Sequence, residues 1–164
     1  TGARLAGAAR ATLGRMAGGV AALVLAQSVL GAVVRHTDAG MACPDVPLCM
    51  GQVVPPLEHP LVILHFGHRL LGILVALATL ALAVFVLRRK AAAPLPALAA
   101  GALVTVLAQV TVGFLSVSSG LAVAPVSLHT LLAALLLSLT VGLATYGHEP
   151  ELRLANGAAA FHGR

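Results

Sequence analysis

Charged and aromatic residues are both scarce in this sequence. Asp, Glu, Lys and Arg make up 9% of the 164 residues and aromatic residues 3%, whereas 59% are hydrophobic and the mean hydropathy is +1.00. So little charge excludes an ordinary soluble domain and is typical of a polytopic membrane protein. Ala, Leu, Val and Gly dominate instead, and the small residues among them let helices approach closely in lipid.

Four apolar stretches are long enough to cross a bilayer as helices, which takes about 17 to 25 residues each. They cover residues 16–34, 61–87, 95–117 and 121–146. Basic residues precede the first stretch, as they do in a signal peptide, but no small-residue cleavage pattern follows before Arg35. The sequence therefore predicts an all-α integral membrane protein, with one four-transmembrane-helix bundle over residues 16–146.

The basic residues are unevenly distributed between the two ends of these stretches. One side holds only Arg35 and Arg69, together with three acidic residues, and the other side holds most of the cations. By the positive-inside rule, both terminal segments, 1–15 and 147–164, are cytoplasmic, and the protein spans the cell membrane. The net charge of +5 is then a topology signal and indicates no nucleic-acid partner. The cations assigned to the cytoplasmic side are Arg4, Arg10, Arg15, Arg88, Arg89, Lys90, Arg153 and Arg164.

The two cysteines, Cys43 and Cys49, both fall in the loop 35–60, which this topology places outside the cytoplasm. An oxidising compartment favours a disulfide between them. A structural clamp, a redox-active or substrate-handling pair and a zinc site are the three interpretations of such a pair. No Cys-x-x-Cys-His motif is present, so the sequence does not support covalent heme attachment.

The four stretches form two similar hairpins. Ala26-Gln27 is followed after three residues by Gly31, and Ala108-Gln109 is followed in the same way by Gly113. The second and fourth stretches each follow a proline and carry a histidine in their first turns. Chance similarity in an Ala- and Gly-rich sequence is the alternative to a true repeat, which predicts a bundle with approximate two-fold symmetry.

Two histidines lie at matching depths in these apolar stretches. His68 and His129 sit one to two turns from the outer end of two helices that run in the same direction. An ionisable group inside a span costs about 2.5–3.5 kcal/mol on insertion scales, so such residues are seldom without a role. Two inward-facing imidazoles predict the axial ligands of one heme iron, with interhelical hydrogen bonding as the alternative.

Other polar residues near this pair are candidates for supporting roles. His65 lies on the same face of its helix as His68, where it could orient a ligand, contact a propionate or move protons. Arg69 could pair with a heme propionate, or its side chain could extend to the lipid headgroups. Arg35, at the end of the first stretch, has the same two interpretations.

The sequence resembles the heme A synthase family over roughly residues 20 to 146. His68-Arg69 matches that family's heme-ligating His-Arg pair, and Gln109 through Gly113 followed by His129 is similar to its later spans. The most specific likeness is the first outer loop, in which Val46 replaces the family's usual aromatic residue. That loop contains the run Arg35-His36-Thr37-Asp38-Ala39-Gly40 and then Cys43-Pro44-Asp45-Val46-Pro47-Leu48-Cys49.

The resemblance implies an activity and its requirements. Family members convert heme O to heme A, oxidising a ring methyl to a formyl group for cytochrome oxidase biogenesis, and usually have eight spans in two halves. This chain matches one half, a compact four-span form, in which His68 and His129 would ligate heme and Cys43 and Cys49 would be the loop pair. Heme B as cofactor, heme O as substrate, O2, an electron donor, heme O synthase as a partner and a homo-oligomer restoring eight spans are the corresponding expectations.

One position departs from the family pattern. Where the catalytic half of the family has a glutamate three residues before the His-Arg histidine, this chain has His65. Either His65 takes over that role as a catalytic residue, or the protein is a b-type heme-binding or electron-transfer membrane subunit without oxygenase activity. A purely structural membrane subunit is a third hypothesis, and it leaves the matched histidines unexplained.

Overall fold

The computed structural model of the protein describes residues 7–89, 91 and 93–161, and for residues 148–161 the backbone alone. Helix α1 spans Gly7–His36, α2 spans Pro60–Arg88, α3 spans Leu95–Ser118 and α4 spans Val123–Phe161, with a short 3-10 helix at Ala39–Met41. Arg4, Lys90 and Arg164, which the topology prediction used, lie outside the described residues. The terminal segments 1–15 and 147–164 are described only in part.

The ends of the helices follow local sequence signals. Pro60 begins α2 in the first turn, where a missing N–H does no harm, and the His59 ring accepts a hydrogen bond from the Leu61 N–H at 3.3 Å. Helix α4 begins two residues after the start of the stretch predicted at 121–146, because Gly120 and Leu121 adopt left-handed backbone conformations with φ of 64° and 63°.

All four helices are long and apolar enough to cross a membrane, with mean hydropathies between 2.0 and 2.9 over their most apolar windows. Hydroxyl side chains inside them donate to carbonyls one turn earlier, so these polar groups need no water. Such bonds are formed by Ser28 to Val24, Thr79 to Val75, Ser116 to Val112 and Thr140 to Leu136.

The helices form a ring in chain order. Helix α1 packs against α2 and α4, and α3 packs against the same two helices, so α2 and α4 lie at opposite corners of the bundle. The predicted fold class, an all-α bundle of four membrane-length helices built from two similar hairpins, is confirmed.

The main apolar core fills the half of the bundle remote from the cysteine loop. Large side chains such as Leu77, Val104 and Leu131 point outward, with 59%, 67% and 66% of their surface exposed, as is required of a surface that faces lipid. The interior of that half is formed by Leu13, Ala17, Val20, Val24, Val75, Leu82, Ala83, Val86, Ala91, Ala99, Ala102, Val106, Leu136 and Leu143.

At the end of the bundle remote from the cysteine loop, α1 and α4 cross with their backbones in contact. A Cβ atom added to Gly147 would collide with the backbone of Gly14 and would lie 3.2 Å from the carbonyl oxygen of Arg10. The Nε of Arg10 donates to the Tyr146 carbonyl at 2.9 Å across the same crossing. Paired small residues permit this close approach, which is a common means of helix association in lipid.

This contact leads to a matched pair of substitutions. We expect Gly147→Ala to destabilise the protein by about 1–3 kcal/mol, since the new methyl group forces the two helices apart. Gly142→Ala is the control, because a Cβ atom there meets nothing within 4 Å. Unfolding in a denaturing-detergent titration measures both, and equal stability of the two variants would show that the crossing tolerates the methyl group.

Candidate functional site

A layer of polar side chains lies in the bundle directly outside the apolar core. The core ends at Val24, Val75, Val106 and Leu136. One to two turns further toward the cysteine loop, α1 and α3 present glutamines while α2 and α4 present histidines. We call Gln27, His68, Gln109 and His129 the polar layer.

His68 packs against α1 at a position without a side chain. A Cβ atom on Gly31 would lie 3.0 Å from the Cε1 atom of the His68 ring, so glycine leaves the space that the ring uses. One turn earlier on α1, the Gln27 amide nitrogen donates to the main-chain carbonyl of His68 at 2.9 Å and lies 3.4 Å from His68 Nε2. Gly72 makes room for this amide, since a Cβ atom there would lie 3.1 Å from its nitrogen.

His129 packs against α3 in the corresponding way. A Cβ atom on Gly113 would lie 3.1 Å from the Cε1 atom of its ring. The Nδ1 atom of His129 donates to the Gln109 carbonyl at 3.1 Å. Because a carbonyl only accepts, the proton of a neutral His129 ring is on Nδ1, and its Nε2 lone pair is available to a metal.

The two Gln-x-x-x-Gly motifs thus have the same structural role. In each hairpin, the glycine of the first helix faces the histidine of the second, and the glutamine contacts that histidine. From the sequence, the motifs were evident only as a repeat. The spacing of four residues between glutamine and glycine was the available signal.

The polar layer contains hydrogen-bonding capacity that nothing in the described chain satisfies. Buried atoms without a partner are Gln27 Oε1, His68 Nδ1 and Gln109 Oε1. Leaving such an atom unsatisfied costs about 1–3 kcal/mol, and native structures usually give it a partner or a function. Their concentration in one layer indicates a place where a further group binds.

The donor atoms of this layer suit a planar iron cofactor. His68 and His129 come from opposite corners of the ring. Two imidazoles from facing helices above an apolar core are the donor set that a bis-histidine heme requires. Within the described residues, no three His, Cys, Asp or Glu side chains come together, whereas structural zinc sites usually have four ligands. The residues present therefore fit a heme.

The cysteine loop packs at the end of the bundle nearer the polar layer. Cys43 and Cys49 form a disulfide with a Cα–Cα distance of 4.6 Å, as predicted, and both are buried against Val62 and Phe66 of α2. The Asp45 carboxylate accepts a hydrogen bond from the Gly51 N–H within the loop. This disulfide clamps a loop that lies directly above the polar layer.

Arg69 joins that loop to the helix of His68. Its Nη1 donates to the Leu48 carbonyl and its Nη2 to the Cys43 carbonyl, both at 2.7 Å. Two of its donors therefore hold the loop, while its predicted contact with a heme propionate stays a prediction. Arg35, for which the same contact was predicted, is exposed at the end of α1, toward the side of the loop.

His65 is buried between α2 and the short 3-10 helix. Only 4% of its surface is exposed, and its Nδ1 donates to the Ala39 carbonyl at 2.9 Å. The ring therefore anchors the start of the cysteine loop through one nitrogen. Its other nitrogen, Nε2, is the atom to which the predicted proton-transfer role would fall.

Comparison with known proteins identifies the family. Residues 3–141 match the family model COX15-CtaA, described as cytochrome oxidase assembly protein. The chain is 56% identical over 41 residues to a heme A synthase of Symbiobacterium thermophilum, covering 25% of this chain and 13% of that protein. It is 44% identical over 59 residues to a heme A synthase of Halalkalibacterium halodurans, covering 36% of this chain and 20% of that protein.

The family model and the two relatives match very different shares of the chain. The two relatives share with this chain a fifth of their own length or less, so their similarity concerns one segment of each. The family model extends over most of the chain and agrees with the resemblance found from the sequence. With its four membrane-length helices, the chain is a multi-pass membrane protein and belongs to the COX15-CtaA family of cytochrome oxidase assembly proteins.

Proposed function

We propose that this protein is a heme A synthase-like oxygenase that binds heme B between His68 and His129 and converts heme O to heme A. The observation that supports this most strongly is the pairing of each histidine with a glycine of the preceding helix. The two imidazoles then stand at opposite corners of the bundle, with Gly31 and Gly113 leaving room for their rings.

The residues around the site would divide the work of holding the cofactor. His129 offers Nε2 with its tautomer fixed by the Gln109 carbonyl, and His68 supplies the second nitrogen. The apolar core below excludes water, and the cysteine loop, held by Arg69, covers the outer end. A heme bound there supplies iron for redox chemistry with O2, using electrons from a separate donor.

The site would lie near the outer membrane surface. At a rise of about 1.5 Å per residue, His68 is about 12 Å along α2 from Pro60 and His129 about 9 Å along α4 from Val123. With both termini cytoplasmic, as the cations predict, the cysteine loop is extracytoplasmic and heme O enters from the outer half of the bilayer.

A second copy of the chain would supply a second heme site. Cofactor and substrate hemes need separate positions, and this bundle presents one facing histidine pair in its described residues. A symmetric homodimer restores eight spans and two histidine pairs. Heme O synthase is the proposed source of the substrate.

A b-type heme-binding or electron-transfer subunit is the second candidate. The sequence of α2 contains no acidic residue, and α4 has none between Val123 and Gly147, so the family glutamate has no counterpart beside the histidines. Such a subunit needs the same two ligands and no proton donor near the substrate. The two functions differ in what they require of His65. The oxygenase would use its second ring nitrogen, Nε2, for proton transfer, and the electron-transfer subunit would not.

We expect His68→Ala and His129→Ala each to lower the heme content of the purified protein at least about tenfold, since even partners of metal ligands cost 10- to 100-fold in affinity. The pyridine hemochrome assay measures the content. His36→Ala, at an exposed position on α1, is the control and should retain full heme. Unchanged heme in either ligand variant would place the site elsewhere.

Heme extracted from the protein produced in a host that makes heme B and heme O should contain heme A or its hydroxylated intermediate. Mass spectrometry and absorption spectra of the extracted heme identify it. The His68→Ala variant in the same host is the control, because the proposed function predicts that it loses most of its cofactor. Heme B or heme O alone, with full occupancy and an electron supply, would support the electron-transfer subunit instead.

The role of His65 can be separated from its anchoring bond. In His65→Asn, the side-chain amide can replace Nδ1 as donor to Ala39, while the second ring nitrogen is lost. If His65 moves a proton, this variant keeps its heme and loses about 10²- to 10⁴-fold in product formation, the usual range for a general acid or base. Unchanged product formation in both His65→Asn and His65→Ala would show that the residue is structural.

A further inference from the structure

The two histidines of the polar layer are held in different ways. The His129 ring donates from Nδ1 to a main-chain carbonyl, and its Nε2 forms no hydrogen bond with the described residues. The His68 ring has Nε2 within 3.4 Å of the Gln27 amide nitrogen, and its buried Nδ1 has no partner. Two sites related by the same motif therefore offer different nitrogens to a ligand.

The orientation of the Gln27 amide follows from its strongest contact. The carbonyl of His68 can only accept, so the group 2.9 Å from it is the NH2 end of the amide and the oxygen points elsewhere. An NH2 group has two hydrogens, and the second is available to His68 Nε2. A nitrogen that accepts in this way carries no proton, which places the proton of a neutral His68 ring on the buried, unpartnered Nδ1.

The hydrogen-bonding groups of Gln27 and His68 are poorly satisfied in this arrangement. The contact of 3.4 Å is longer than the 2.7–3.2 Å of a good hydrogen bond, and both Gln27 Oε1 and His68 Nδ1 are buried without partners. Buried polar groups in that condition are unfavourable. The contact between Gln27 and Nε2 is therefore one that a better ligand for the ring can replace.

We propose that Gln27 is a positioning residue that competes with heme iron for Nε2 of His68. Before that ring can coordinate, the contact with the amide breaks, by withdrawal of the amide or by rotation of the ring. His129 is then the first ligand and His68 the second, exchangeable one. This inference rests on the proposed heme binding and adds an order of ligation and a residue that sets it.

The chain contains its own matched control in Gln109. Gln109 contacts its histidine through the main-chain carbonyl, and its side-chain oxygen is buried without a partner, like that of Gln27. Replacing the Gln109 side chain leaves the carbonyl in place. Gln27→Met and Gln109→Met thus change one similar amide each, and only the first removes a donor from a ring nitrogen.

The first experiment uses the heme-free, full-length protein in detergent, with 15N-labelled histidine. Both rings should give the spectrum of the Nδ1-protonated tautomer in the wild type. Gln27→Met should shift the Nε2 signal of His68 and leave His129 unchanged, whereas Gln109→Met should leave both unchanged. A His68 signal that does not respond to Gln27→Met overturns the contact on which the proposal depends.

The second experiment titrates the same proteins with heme B and follows affinity and spin state. Replacement of one weak hydrogen bond predicts that Gln27→Met binds heme about two- to tenfold more tightly and raises the low-spin, six-coordinate fraction. Gln109→Met, which leaves both ring nitrogens as they are, should change heme affinity and spin state less than Gln27→Met does. Weaker binding or a lower six-coordinate fraction in Gln27→Met would mean that Gln27 supports His68 as a ligand. Equal effects in Gln27→Met and Gln109→Met would mean that both glutamines serve only to pack the layer.

Failure of the proposed function has a different signature. If the wild type and Gln27→Met both bind no heme B, the heme site is refuted, and with it the competition for iron. If heme binds and His68→Ala retains a six-coordinate spectrum, His68 is not a ligand and the proposal falls while the heme site stands. Thermal unfolding of the heme-free variants tests whether either methionine substitution destabilises the bundle, and both should unfold at the temperature of the wild type.

Discussion

Every polar group inside this bundle must find its partner within the protein, because the surrounding lipid provides none. The hydroxyl side chains meet that requirement by bonding to carbonyls of their own helices, and the inner half of the bundle is otherwise apolar. Among the described residues, only the polar layer fails to meet it fully, with Gln27, His68 and Gln109 each leaving one buried atom unsatisfied. These unsatisfied atoms are what single out the layer as the proposed site.

The two hairpins of the repeat are alike in how their helices pack and differ in how their histidines are hydrogen-bonded. Both hairpins place a glycine of one helix against the histidine of the next, at distances that differ by 0.1 Å. The glutamines differ, because Gln27 contacts its histidine with its side chain and Gln109 with its main chain. The two halves of the repeat therefore present unequal histidines, and under the proposed function one would be the readily available ligand and the other the exchangeable one.

The sequence was sufficient to predict the helices, the disulfide and the family, because long apolar runs and the spacing of Cys43 and Cys49 are local signals. It also placed His68 and His129 at matching depth, since depth depends only on the distance along a helix. It could not predict that α2 and α4 occupy opposite corners or that Gln27 reaches the neighbouring ring. Those facts depend on the rotation of each helix about its axis, which an apolar pattern on all faces does not specify. Arg69 shows the same limit, since its two loop carbonyls lie some twenty residues away in the chain.

The glycine crossing of α1 and α4 determines when the bundle can close during synthesis. Gly14 lies on the first of the four described helices and Gly147 on the fourth, so the ring closes only when α4 meets α1. That final helix also carries His129. During membrane insertion from the N-terminal end, the first three helices can assemble with His68 and the cysteine loop in place while one side of the bundle is still open. Until α4 joins α1 and α3, the polar layer lacks His129 and stays open on one side.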